Sequence, residues 1–187
     1  MRIKPTMATL ASLLLVLAIA IGCTSSNKAS TPDVKDQVSK ALNNAGYKDL
    51  KVDVNNDKQL VTLTGDVKTQ EDKDRAEELA KNAGGGYVVS NEIGVRPEGV
   101  EGAAKRIDAN MDDAIEKDFK AVIIAHRLEK QHIRFDAKNG VLTLKGDVDT
   151  PAQREQVEKL AASVPNVQQV VNELDVKGGK RRTAPGD

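Results

Sequence analysis

The sequence predicts an α+β fold written twice: two tandem αββαβ sandwich domains, each a three-stranded mixed sheet covered by two helices. Three observations predict it. The phrase VTLTGDVKT at 61–69 returns as LTLKGDVDT at 142–150. Residues 60–95 lie on 141–176 at a constant offset of 81 with no gap; thirteen of the thirty-six pairs are identical, and the apolar positions otherwise stay apolar. Within each copy the hydrophobic spacing passes through helix, strand, strand, helix and strand periods in that order. An internal duplication explains all three.

The first helix of copy one carries Val34, Val38, Ala41, Leu42 and Ala45 on one face. Thr31 suits its N-cap, Pro32 its first turn and Gly46 its stop. In copy two the stripe is Ile115, Phe119, Val122, Ile123 and His126, and Ile107 and Met111 extend it upstream. Leu50, Val52 and Val54 alternate as a strand, as do Ile133 and Phe135. Second strands follow at Leu60–Thr64 and Val141–Lys145, the latter reached through 136–140, where Asn139-Gly140 favours a tight turn. Gly65 and Gly146 are expected to end these strands. Thr69 and Thr150 then cap second helices, and Thr150-Pro151-Ala152-Gln153 has the form of a capping box. Those helices bury Ala76, Leu79, Ala80 and Ala83, or Val157, Leu160, Ala161 and Val164. Final strands at Tyr87–Val95 and Val167–Val176 close each unit, with a right-handed crossover that makes each parallel to the second strand. Units of this size have small cores, so they are expected to lean on each other.

The chain opens with Arg2 and Lys4, an apolar run to Gly22, then Cys23, the only cysteine. This is the pattern of an export signal, and the run is short for a membrane span. Ala20-Ile21-Gly22-Cys23 resembles a bacterial lipobox, which implies 1–22 as signal peptide and Cys23 as a lipidated (palmitate-carrying) first residue of the mature protein. Residues 24–33 read as a polar tether. The chain has 28 Lys and Arg against 28 Asp and Glu, so losing Arg2 and Lys4 takes the formal charge to −2. Near-neutral charge and only four aromatic residues argue against a nucleic-acid partner.

The succession Val52–Val54, Leu63-Thr64-Gly65-Asp66-Val67 and Val89-Ser90-Asn91-Glu92-Ile93-Gly94-Val95 resembles the BON domain, as do Ile133–Phe135, Leu144–Val148 and Val170–Val176. The similarity covers 31–98 and 108–177, leaving 99–107 as a linker and 178–187 as a flexible basic tail. The triplet Gly84-Gly85-Gly86 departs from the pattern and suggests a looser loop. A lipidated chain with two such domains resembles the dual-BON envelope lipoproteins. That resemblance implies a periplasm-facing anchor, with Thr24 favouring the outer membrane. It further implies roles in envelope integrity and osmotic stress, and contact with anionic phospholipid through the first helix of the second domain.

The candidate sites are weighed by chemistry. Gly65-Asp66 and Gly146-Asp147 lack the spacing and lysine of a phosphate loop and read as turn glycines followed by an aspartate near a helix start. Asn91 and Asn172 share the phase of apolar neighbours, so each needs a partner, and a nearby backbone group is the expected one. His126 reads as a partly buried structural residue; with His132 it makes no zinc set. No nucleophile, base and orienting group come together, so no catalytic residue and no cofactor is assigned. Two basic clusters remain for a membrane: Arg127, Lys130 and Arg134 at the end of the long helix, and Lys180, Arg181 and Arg182 in the tail. Two readings follow. In one, the protein is a non-enzymatic lipoprotein docking on anionic phospholipid. In the other, it is a periplasmic protein- or cell-wall-interaction module merely tethered by its lipid, with an envelope protein as partner.

Overall fold

The computed structural model describes residues 33–129 and 131–177. Cys23, the Thr31-Pro32 start, Lys130 and the tail residues Lys180, Arg181 and Arg182 lie outside the described residues. The described residues fall within one compact unit. Its elements are α1 (Val34–Asn44), β1 (Lys51–Asn55), β2 (Leu60–Val67), α2 (Gln70–Ala83), β3 (Val88–Val95), α3 (Glu101–Ala125), β4 (His132–Lys138), β5 (Val141–Val148), α4 (Pro151–Ala162) and β6 (Gln169–Val176).

The elements form two αββαβ units, each with a three-stranded mixed sheet. The sheet orders are β1-β2-β3 and β4-β5-β6, so β3 and β6 are edge strands. β1 and β4 pair antiparallel with their neighbours, while β3 and β6 pair parallel to β2 and β5. The duplication carries the register with it: Leu63 faces Asn91 in one sheet and Leu144 faces Asn172 in the other.

Local chemistry sets the helix ends. Asp33 caps α1, its carboxylate accepting from the Lys35 N–H at 3.4 Å, two positions past Thr31, the expected cap. At the other end the Tyr47 N–H reaches the Leu42 carbonyl at 3.0 Å, and Gly46 supplies the positive φ of 97° that this closure requires. Thr69 caps α2, and Thr150 with Gln153 forms the reciprocal capping box of α4. The loop after α2 is compact: the Gly84 N–H binds the Ala80 carbonyl at 2.8 Å and the Tyr87 N–H the Gly84 carbonyl at 3.1 Å. Gly85 and its counterpart Asn166 share a left-handed backbone, with φ of 59° and 65°. The turns then differ: Gly86 adds a second positive φ of 96°, and the closing bond of the other copy, from the Val167 N–H to the Val164 carbonyl, falls one residue earlier.

Gly65 and Gly146 sit inside β2 and β5 rather than at their ends. Their φ angles are 127° and 111°, and a Cβ on Gly146 would stand 1.8 Å from the His132 carbonyl oxygen. Glycine is needed there because the neighbouring strand passes too close for a side chain. β4 also runs further than expected, to Lys138, so that Asn139-Gly140 alone makes the turn, with φ of 48° and 80°. Positive φ at both turn residues matches the twist of the flanking strands.

Each sheet packs one face under its helices. The first core joins Val38 and Leu42 of α1, Ala76 and Ala80 of α2, and Val61, Leu63, Val89 and Ile93 of the sheet. The second joins Ile115, Phe119 and Ile123 of α3, Val157 and Ala161 of α4, and Leu142, Leu144, Val148 and Leu174. Phe119 meets Phe135 edge to face, ring centres 5.0 Å apart. α3 is the long element. Its first turns take up most of 99–107, the stretch expected as linker, and Ile107 is 58% exposed instead of extending the buried stripe.

Candidate functional site

The first recurring device ties a helix to an edge strand. Asn91 is 2% exposed. Its Nδ2 donates to the Lys73 carbonyl at 3.1 Å and to Glu77 Oε2 at 3.0 Å, while its Oδ1 accepts from the Ile93 N–H at 3.4 Å. Asn172 repeats this 81 residues later: Nδ2 donates to the Arg154 carbonyl at 3.3 Å and Glu158 Oε2 at 2.8 Å, and Oδ1 accepts from Leu174 N–H at 3.1 Å. The expected backbone tie is present in both. Its further effect follows from strand alternation. The Val88 and Arg96 N–H groups point inward, to the Gln59 and Val67 carbonyls, so those of Asn91 and Ile93 point out of the sheet. The asparagine amide therefore satisfies a group on an otherwise open edge. Around Glu77, burial works to raise the carboxyl pKa, but hydrogen bonds from Lys81 and Asn91 outweigh it and hold it below the ordinary value.

The second device joins the two domains by reciprocal contacts. Asn139 Nδ2, at the β4–β5 turn, donates to the Glu92 carbonyl of β3 at 2.8 Å. Lys58 Nζ, at the β1–β2 turn, donates to the Glu173 carbonyl of β6 at 3.3 Å. Residues 58 and 139, like 92 and 173, are 81 apart, so each domain offers its hairpin to the other's edge strand. Leu60 and Val141, also equivalent, meet in one buried cluster with Val171. This is the contact pattern of a two-fold interface, made within one chain.

The two halves of that interface are filled differently. On the β3 side, Gln169 Oε1 accepts from the Asn91 N–H at 3.1 Å and its Nε2 donates to the Val89 carbonyl at 2.6 Å. Lys138 pairs with Glu92 at 3.1 Å. Asp112 of α3 holds the turn itself, accepting from the N–H groups of Asn139 at 2.9 Å and Gly140 at 3.0 Å. Arg96, leaving β3, pairs with Asp108 of α3, lies 3.3 Å from Asp66 and donates to Asn139 Oδ1 at 3.4 Å. Lys73 reaches the Asn139 carbonyl at 3.4 Å, and burial lowers its pKa below the usual lysine value. On the β6 side, Lys58 pairs with Asp175 beside an open groove.

The sequence-predicted residues fall elsewhere. Arg127 is exposed just past the end of α3, with a left-handed φ of 56°, and Arg134 is exposed on β4. Asp66, three residues before the α2 cap, lies 3.3 Å from the Arg96 guanidinium. His126 is exposed, because the last turn of α3 leaves the core at Ile123. Sequence reasoning missed Arg96, Asn139 and Gln169; the constant offset was the one signal that could have paired Lys58 with Asn139.

α3 presents a second face to solvent. Val100, Ile107 and Ile124 are 51%, 58% and 56% exposed. At 100° per residue Val100, at the N-cap, and Ile107 lie about 20° apart and Ile124 about 100° further round, so the three span a solvent-facing side about 120° wide with the exposed Ala103 and Ala121 between them. Exposed Arg106 and Lys117 lie at the Ile124 border of this side, with Asp113 and Lys120 just beyond it, and exposed Asp118 lies at the Val100 border. Among the described residues, no group of three or more His, Cys, Asp or Glu is placed to hold a metal, and no helix is long and apolar enough to cross a membrane.

Two tandem αββαβ units whose edge strands are tied by an equivalent asparagine define a duplicated BON-type protein. The BON domain family model matches residues 30–97 and 111–178, and the chain belongs to that family. It is 32% identical over 127 residues to osmotically-inducible protein Y of Escherichia coli (strain K12), a match covering 67% of this chain and 62% of that one. Among solved structures, CdsD, a structural protein of the type III secretion system of Chlamydia trachomatis, aligns with a TM-score of 0.32 at 12% identity, over 80% of this chain and 66% of that one. Its C-terminal domain aligns with a TM-score of 0.32 at 10% identity, over 78% and 98%.

Proposed function

We propose that this is a non-enzymatic envelope lipoprotein, moored by acylated Cys23, whose BON pair docks on anionic phospholipid and supports envelope integrity or osmotic-stress tolerance. Kinship with an osmotically inducible protein supports the stress role. The observation that carries the lipid role is the exposed ridge of α3: Val100, Ile107 and Ile124 on its solvent-facing side, Arg106 and Lys117 beside Ile124, and Arg127 at its end. Val100 and Ile124 are 24 residues apart, so the ridge is about 36 Å long. A helix that lies on a bilayer has this form, apolar residues down one side and cations beside them. Each cation near an anionic surface contributes about 1 kcal/mol, a contribution that salt screens. Lys130, Arg134 and the tail cations Lys180, Arg181 and Arg182 would add to it.

The test is co-sedimentation of the 24–187 chain with phosphatidylglycerol vesicles and with phosphatidylcholine vesicles. Binding to the first that weakens as salt rises, with little binding to the second, is expected. Equal binding to both, or binding to neither, removes the lipid role.

A further inference from the structure

Beside β6 lies a groove of about 880 Å³, walled by the Val170–Val176 edge and by Lys58, Leu60 and Val88 of the first domain. It exists because the two-fold interface is filled on one side only. On the filled side, the Gln169 carboxamide bridges the Val89 carbonyl and the Asn91 N–H. These are the two groups that a residue of an added parallel strand would engage, so the side chain stands in for that residue's N–H and C=O. The equivalent residue on the open side is Val88, 54% exposed. Valine has no polar atom to offer the equivalent groups, the Val170 carbonyl and the Asn172 N–H. By the alternation of β6 these point out of the sheet, since the Gln169 and Lys177 N–H groups point inward to Gly140 and Val148.

We infer that this groove receives an extended segment of another polypeptide, added as a fourth strand on β6, with the N–H and C=O of one of its residues placed where the Gln169 carboxamide sits in the other half. Two observations choose this occupant. The unfilled position has the hydrogen-bonding pattern of one strand residue's N–H and C=O, shown in the same molecule with a carboxamide in place. The walls carry Asp57, Asp147, Glu158, Glu173 and Asp175 against Lys58, Arg154 and Lys177, so the groove favours a segment bearing Lys or Arg. Strand addition of this kind draws affinity from main-chain bonds and selectivity from alternate side chains. The edge is wide enough for a short segment only, because Arg154 already donates to the Asn172 carbonyl and the Asn172 amide already holds the Leu174 N–H. This surface is separate from the α3 ridge, and the inference stands or falls independently of the lipid reading.

The experiment uses the 24–187 chain, which retains every described residue. The probe is an acetylated octapeptide of alternating Val and Lys, and the control is the same peptide with every second amide N-methylated. Amide NMR shifts confined to Val170–Val176 and Val88 are expected with the probe, and at least a tenfold weaker response with the methylated control, which keeps the charge but loses the donors. Val88→Gln supplies to the groove the carboxamide that Gln169 supplies opposite. It is expected to lose the probe response, with Val88 exposed enough for the fold to survive, as the unchanged amide spectrum of the first domain would show. Three results overturn the inference. The first is equal binding of both peptides, which would be charge alone. The second is probe binding that appears only after residues 178–187 are removed, which would make the tail the occupant. The third is a concentration-dependent dimer that Val88→Gln dissociates, which would make the occupant a second copy.

Discussion

Replacing Asn91 and Asn172 separately by Ala asks one question of two nearly identical bond sets. Each amide donates to a helix carbonyl and a glutamate and accepts from an edge-strand N–H. The difference is burial. Asn91 is 2% exposed and its ties to Lys73 and Ile93 are buried, whereas the donations of Asn172 are on exposed groups. A neutral hydrogen bond contributes about 1 kcal/mol net and one to a charged group about 1.5–3, with a further penalty when a buried partner is left alone. The Ile93 N–H would be such an orphan, whereas water can reach the groups that Asn172 leaves. Asn91→Ala is thus expected to cost about 3 kcal/mol and Asn172→Ala about 1 kcal/mol. In a unit of this size those losses correspond to falls in Tm of roughly 6–12 °C and 2–4 °C. Calorimetry on the two variants reads both numbers. Equal falls, or a larger fall for Asn172→Ala, would refute the argument that burial sets the value of this tie.

The remaining predictions concern neighbouring features. Gly146→Ala puts a Cβ 1.8 Å from a backbone oxygen at φ 111°, while at Gly65 the nearest atom is the flexible Leu50 Cδ2 at 2.9 Å; urea unfolding should show Gly146→Ala costing about 3 kcal/mol or more and Gly65→Ala about 1–3 kcal/mol. Gly94→Ala would bring a Cβ within 2.5 Å of both Arg96 Nη2 and Asp66 Oδ1, so amide exchange at Asn139 and Gly140 should quicken as the Arg96 contacts shift. Glu77 has a depressed folded pKa, so its contribution to stability is full above the ordinary carboxylate value and is lost as pH falls through the folded value. Asn91→Ala removes one of the hydrogen bonds that depress it, and a carboxyl NMR titration should find Glu77 titrating at higher pH.

What the sequence shows depends on how far apart the interacting residues are. The Thr69 and Thr150 caps are written within three residues, and both are present. The core stripes repeat at helix and strand periods, so Ala76, Ala80, Val157 and Ala161 could be placed before any coordinates. Gly65 and Gly146 were visible as special, but their position inside a strand depends on how closely β1 and β4 pass, which is a tertiary matter. The Asn91 and Asn172 ties were legible because a polar residue in apolar phase demands a partner. The domain interface was not. Lys58 and Asp175 are 117 residues apart, Asn139 and Glu92 are 47 apart, and neither pair has a local pattern to announce it. The upstream extension of α3 was legible in Ile107 and Met111, but its start at Glu101, beyond Gly102, and the exposure of Ile107 were not, because that face leaves the core. Of the basic residues chosen from sequence, Arg127 and Arg134 are exposed as a surface contact requires, though the ridge beside Arg127 emerged only from the fold.

The central claim is that α3 faces a bilayer. Cys23 is the only cysteine, so the 24–187 chain has none, and Ile107→Cys, Ile124→Cys and Lys48→Cys each carry a single polarity-sensitive fluorophore. Lys48 lies in the exposed α1–β1 turn of the first domain. With phosphatidylglycerol vesicles, blue-shifted and brightened emission at positions 107 and 124, and none at 48, is the predicted result. Emission unchanged at 107 and 124 under conditions where the protein sediments with the vesicles would contradict the account.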